Sequence, residues 1–364
     1  MPAYVGTPDF EHGAPGRTGV LLVNLGTPDE PTPAAVRRYL AEFLWDPRVI
    51  ETPRPLWWLI LHGVILRVRP KKSAHAYEQI WTDRGSPLLL YSASLAEQLG
   101  KTLRERHGPE LRVAHGMTYG NPSVGEALES LRSAHVRRLL VLPLYPQYSA
   151  TTTASVFDRV AAALARWRWI PELRFVTQYH DDPAYIDALA RSVRAHWNQH
   201  GRKHLLFSFH GLPKRYLLDG DPYHCQCHKT ARLVAESLAL GAEEFSVSFQ
   251  SRVGREEWLR PYTDEVLAQY AVAGPREITT ICPGFATDCL ETLEEIALRN
   301  REDFIAQGGS EFDYVPALND SPAHVAVLAG IIERAASGWP DPGRHRGGET
   351  DAIRERARAL GAPR

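Results

Sequence analysis

Short continuous apolar runs alternate along the chain with longer stretches in which apolar residues recur every three or four positions. The runs at residues 20–25, 111–119, 138–144, 173–177, 205–209, 245–249, 278–282 and 312–315 predict strands. A strand that is apolar on both sides is covered on both faces, which is the signature of a parallel sheet. The periodic stretches predict helices over residues 33–44, 88–106, 123–133, 156–167, 184–200, 228–240 and 322–337, and a further helix beginning near Asp288. Thr32-Pro33 supplies a cap and a first-turn proline for the earliest of them. Strand, glycine turn and helix in repetition define an α/β protein. Two strand ends look alike, VNLGTP and FSFHGLP, and point to two copies of one α/β domain.

Residues 1–17 and the segment from Gly338 onward are rich in glycine, proline and polar residues, and are expected to be disordered. Residues 55–70, PLWWLILHGVILRVRP, are too short and too interrupted for a membrane span. They are either a buried helix or an apolar lip over a pocket or against a membrane surface. Arg67, Arg69, Lys71 and Lys72 stand ready to meet anionic groups there.

With 364 residues, 44% of them hydrophobic, the chain has room for two domains. Its 42 basic and 43 acidic residues nearly cancel, so no nucleic-acid partner is expected. The start MPAYVGTPDF lacks the form of a signal peptide, and a cytoplasmic location is expected. Gly100-Lys101-Thr102 lacks the first glycine of a phosphate loop, and no G-x-G-x-x-G follows a strand, so neither ATP nor a dinucleotide is supported. Cys225, Cys227, Cys282 and Cys289 do not have the usual spacing of a four-thiolate site.

The candidate chemistry lies at two strand ends. His210 closes the apolar run of residues 205–209, where open α/β sheets bind their ligands; alternatively it only shapes a turn. After the strand at 278–282 come Asp288, Glu291 and Glu295, spaced to share one helix face, although Asp288 and Glu291 also have the form of a capping box. An imidazole facing carboxylates suits a loosely held divalent metal and proton transfer. Leu25, Tyr148, Trp258 and Phe285 offer flat apolar walls.

The motifs LVNLGTP, GSPL, YPQYS, FSFHGLP with GDPY, FQSRVG with Trp258, and PGFATDCLETLEEI occur in the order found in ferrochelatases, and the chain resembles that family over residues 18–336. The resemblance implies two flavodoxin-like domains with parallel sheets and an active-site cleft between them. Their expected extents are 18–141 with the closing helix at 314–337, and 142–313. It implies insertion of Fe²⁺ into protoporphyrin IX with loss of two protons, the last step of haem synthesis. His210 and Glu291 are then the metal pair, and Glu295 and Asp288 extend the acidic line. Leu25, Arg69, Tyr77, Ser86, Tyr148, Trp258 and Phe285 fall at porphyrin positions. Thr118 stands where many relatives have arginine, and Cys289 where some have histidine. The cysteine-bearing extension of animal relatives is missing, so no iron–sulfur cluster and no tightly bound cofactor are expected. Peripheral membrane contact through residues 55–70 and an upstream haem-pathway enzyme are the expected partners. The alternatives are a tetrapyrrole carrier without turnover, and a chelatase for coproporphyrin or for another metal.

Overall fold

The computed structural model describes residues 4–7, 9–14, 16–254, 256–340 and 347–362. The first half contains β1 (Arg17–Thr27), α1 (Pro33–Trp45), α2 (Arg54–Ile60), α3 (Leu66–Ile80), α4 (Pro87–His107), β2 (Arg112–Gly120), α5 (Val124–Ser133), β3 (Val136–Pro143), α6 (Ser155–Leu164), β4 (Glu172–Phe175) and α7 (Pro183–His200). The second half contains β5 (His204–His210), α8 (Lys214–Leu218), α9 (Tyr223–Ser237), β6 (Phe245–Gln250), α10 (Thr263–Ala273), β7 (Glu277–Ile281), α11 (Arg301–Ala306), β8 (Glu311–Val315), α12 (Pro322–Ala335) and α13 (Gly347–Ala359). Three further segments, Leu61–Ile65, Ala150–Ala154 and Glu291–Asn300, are wound as wider π-helix.

The strands form two four-stranded sheets of the same order, β2-β1-β3-β4 and β6-β5-β7-β8. Every pairing within them is parallel. This is the doubly wound pattern, in which the chain reverses its direction of travel between the first and third strand of each set. The apolar runs of β1 and β5 suit their central places: Leu21, Leu22, Leu205, Leu206 and Phe207 are fully buried, as in strands covered on both faces. Helix starts are fixed locally. The Thr32 hydroxyl accepts from Ala35 N at 3.3 Å, and Ser123 and Glu126 form a reciprocal box at the head of α5.

The seam between the sheets is packed. One apolar core runs from Leu22 and Leu140 through Leu99 of α4 and Leu328 of α12 to Leu189 of α7 and Phe207 of β5. Polar stitches cross it too: Asn24 donates to Thr287 at 3.0 Å, and Ser94 donates to Asp320 at 2.5 Å.

Several sequence expectations are corrected. β4 pairs with β3 and so completes the first sheet, although residues 142–313 were assigned to the second domain. β8, whose last residues are Tyr314 and Val315, belongs to the second sheet and not with the closing helix. Strand pairing is a long-range property that a local apolar run does not encode. Helix α10 was not anticipated. The described parts of the ends also carry contacts and structure that their composition does not predict. Val5 exchanges backbone hydrogen bonds with Arg166 and Arg168, and Phe10 packs edge-on to Trp169. Within the expected disordered segment, α13 is helical and its Arg354 reaches Glu11 at 3.2 Å. Residues 1–3, 8, 15, 341–346 and 363–364 lie outside the described residues.

Candidate active site

His210 is the last residue of β5, between β6 and β7 at the reversal point of the second sheet. Its Nδ1 lies 2.7 Å from the Gly211 carbonyl oxygen. A carbonyl can only accept, so Nδ1 carries a proton here, and in the neutral imidazole the lone pair is the one on Nε2. Gly211 is needed here because a methyl group on it would stand 2.8 Å from the Gln250 carbonyl and 3.1 Å from the Trp258 ring. Trp258 therefore closes in on the histidine, with ring centroids 6.4 Å apart.

The carboxylates arrive from the π-helical segment after β7. Gln250, paired with His210 across the ladder, accepts from Ser208 Oγ at 2.7 Å and donates to the Glu291 carbonyl at 2.8 Å. This ties the β6 end to the helix start. The next residue, Ser251, has φ of 65° and donates both its backbone N–H, at 2.9 Å, and its hydroxyl to Glu295. A side chain held in the left-handed region is costly and marks a constrained site. Gln250 and Ser251 enter the sequence analysis only as part of the FQSRVG motif, with no role of their own.

Burial pushes the Glu295 carboxyl up, and the neighbouring Glu291 carboxylate pushes the same way. Ser251, Arg299 and His210 hold it back. The imidazole and both glutamates therefore share one electrostatic neighbourhood. Glu291 also acts on the opposite half. Burial drives the Tyr77 and Tyr39 phenols well above their ordinary value, and Glu291 adds to both. The buried Cys289 thiol is raised in the same way.

Asp288 is corrected. It is not on the helix with Glu291 and Glu295, because the segment starts at Glu291. Its carboxylate is buried and accepts from Tyr314 OH at 2.6 Å, Asn319 Nδ2 at 2.7 Å, Thr292 Oγ1 at 2.9 Å and Ala317 N at 3.3 Å. No bond to the Glu291 N–H forms, so the capping box is not made either. Three donors from beyond the helix, joined by the Thr292 hydroxyl within it, compete better than a single capping amide.

The porphyrin candidates divide into groups. Leu25 packs with Tyr39, Tyr77 and Tyr119, and Phe285 with Leu88, Met117 and Cys289, both bordering the glutamate segment. Tyr77 and Ser86 are buried rather than presented, with Ser86 accepting from Thr27 at 2.8 Å. Tyr148 lines a cavity of about 240 Å³ between the halves, together with Arg48, Glu51, Tyr216 and Asp221. Arg69 is exposed on α3. Cys225 is exposed while Cys227, Cys282 and Cys289 are buried, and Cys225 and Cys227, two apart on α9, point to different sides of their helix. Residues 55–70 combine both expectations: Trp57, Leu61 and Leu66 are buried, while Leu59 is 61% and Val68 71% exposed. No helix among the described residues is long and apolar enough to cross a membrane.

Two doubly wound halves with an imidazole and glutamates at their junction define a protein of the chelatase class. The fold is shared with SirB from Bacillus subtilis solved with Fe³⁺ (TM-score 0.54, 11% identity, 88% of this chain and 96% of that one). It is shared too with the sirohydrochlorin chelatase SirB from Bacillus subtilis subspecies spizizenii in complex with cobalt (TM-score 0.51, 10% identity, 89% and 97%). The chain belongs to the ferrochelatase family, whose sequence model matches residues 17–336. Proteins named ferrochelatase from Thioalkalivibrio sulfidiphilus and Marinobacter nauticus are 56% and 54% identical to it, over 98% of each chain in the first case and 93% and 92% in the second. Ferrochelatases are lyases that insert ferrous iron into a porphyrin to make haem, and that is the activity of this chain.

Proposed function

We propose that the porphyrin is protoporphyrin IX and that the chemistry is carried by His210, Glu291 and Glu295. The observation that supports this reading is the His210 ring, its protonated Nδ1 fixed by Gly211 and its flank covered by Trp258, beside a glutamate that burial makes a better proton acceptor. Insertion exchanges two pyrrole N–H protons for one Fe²⁺. His210 Nε2 takes a proton from the ring, and Glu295 and Glu291 pass protons away from it. His210 and Glu291 are the pair that meets the incoming iron, and because Nε2 offers one lone pair, His210 releases the iron to the ring before it takes the proton. Trp258 and Leu25 press on the macrocycle and favour the bent form, which resembles the transition state more than the flat substrate does. No resident cofactor enters this scheme. Asp288 acts as a positioning residue that fixes the head of the glutamate segment.

Purified protein, Fe²⁺ and protoporphyrin mixed without oxygen should develop haem absorbance. His210→Ala and Glu291→Gln should each abolish it while porphyrin fluorescence still reports binding. Turnover retained in either variant removes that residue from the scheme; binding without turnover in the parent leaves a carrier. Faster turnover with coproporphyrin would replace the substrate.

The lip is proposed as a peripheral membrane contact. Leu56, Trp58, Leu59, Val64 and Val68 are exposed, and Arg67, Arg69, Lys71 and Lys72 follow them, a combination that suits an anionic bilayer surface. Flotation with vesicles containing anionic lipid should carry the parent and not Trp58→Glu/Leu59→Glu; equal flotation of both would refute the contact.

A further inference from the structure

A pair of histidines outside the iron-insertion site has the geometry of a chelate. His224 and His228 lie one turn apart on α9, and residues four apart on a helix present neighbouring side chains. Their ring centroids are 4.5 Å apart and the ring planes cross at 51°. With a metal–nitrogen bond of about 2.1 Å and about 1.1 Å from nitrogen to ring centre, two imidazoles meeting one ion at a right angle have centroids about 4.5 Å apart. Both rings are braced by Phe249, at 5.7 Å and 6.0 Å. Among the described residues neither ring is hydrogen-bonded to a protein group, so all four nitrogens are uncommitted. Burial holds both imidazoles below their ordinary value, which leaves them neutral with a lone pair at neutral pH.

A second pair on the same spacing shows what the chelating arrangement excludes. His196 and His200 of α7 lie 4.2 Å apart but are stacked at 17°, and His200 Nδ1 is used on the His196 carbonyl. Lone pairs lie in the ring planes, and nearly parallel planes do not meet at one ion.

The α9 pair is also distinct from the active site. Side chains alternate across a strand, so Phe249, which braces the pair, faces the opposite side of the sheet from Gln250 and its ladder partner His210.

We propose that His224 and His228 form a two-imidazole site for a first-row divalent transition metal on the α9 face of the second sheet, separate from the site of iron insertion. Two nitrogen ligands leave the remaining positions to water, so the ion exchanges readily. Imidazole donors favour Ni²⁺, Cu²⁺ and Zn²⁺ over Fe²⁺.

Titration calorimetry with Ni²⁺ on the full chain tests this. The parent, His210→Ala and Cys225→Ser should all bind an ion that His228→Asn binds about a hundredfold more weakly, since the second arm of a chelate acts at high effective concentration. Parent-like affinity and stoichiometry in His228→Asn would overturn the proposal. Should that variant fold poorly, imidazole NMR of the parent decides instead. Co²⁺ below one equivalent should broaden the His224 and His228 ring signals in both the parent and His210→Ala, and sharp signals there would overturn it.

Discussion

Asp288 is the residue whose placement differs most from its sequence expectation, and Asp288→Asn tests the positioning role proposed for it. In the parent the carboxylate gathers Tyr314, Thr292, Ala317 and Asn319 around one buried charge. Bonds to a charged acceptor are worth about 1.5–3 kcal/mol and neutral ones about 0.5–1.5 kcal/mol, so neutralising the acceptor costs about 1 kcal/mol for each donor kept. The new amide also turns an N–H₂ toward a donor, because Asn319 Nδ2 is held in place by its own Oδ1, which accepts from Asp288 N at 2.7 Å. The total loss is about 4 kcal/mol, at the severe end for a single substitution. Urea unfolding should show a clearly lower midpoint, while kcat per folded molecule stays within about threefold of the parent, as fits a group that does not touch the reacting atoms. A variant as stable as the parent but inactive would refute this and return Asp288 to the proton path.

Three further outcomes are expected. Gly26 has φ of +118°, and a methyl group on it would lie 1.7 Å from the Tyr119 carbonyl oxygen, so Gly26→Ala should fail to give soluble protein, whereas Gly63→Ala, with open space around it, should fold. The raised Glu295 carboxyl binds its proton more tightly in the folded chain, so its favourable contribution is present in acid and is lost as pH rises past the ordinary glutamate range. Unfolding measured across that range should therefore show Glu295→Gln gaining on the parent as pH increases. Burial lowers His324 from 6.5 to about 4, so stability present above pH 6.5 should drain away toward pH 4. The loss is about 3 kcal/mol, and the same pH series on His324→Asn should lack it.

What could be read from residues alone was what burial writes locally. Phe207, Phe209 and Ile281 had to be apolar in strands covered on both faces, so the strands and the position of His210 at the end of one of them were visible. The glutamates were visible as an acidic line. The π winding that carries them was not, because it changes the backbone bonding without a distinctive pattern of apolar positions. Asp288 was misplaced for a related reason: its partners Tyr314, Ala317 and Asn319 lie more than twenty residues downstream. Ser251 and Gln250 act through positions relative to Glu295 and Glu291 that only the fold creates. Helix α10 was missed because its sequence, TDEVLAQYAVA, shows little separation of apolar and polar faces.

The packed seam between the halves limits how a large flat ring can be taken in and let go. Swinging the two sheets apart like jaws would tear Asn24 from Thr287 and strip α12 from α4. Capture and discharge must instead come from small local adjustments. The three wide-wound stretches are suited to this: one lies in the lip, one follows Tyr148, and one bears the glutamates. A π turn that tightens to α-helical winding shifts everything beyond it by one residue's rotation, so each can act as a ratchet while the scaffold stays still.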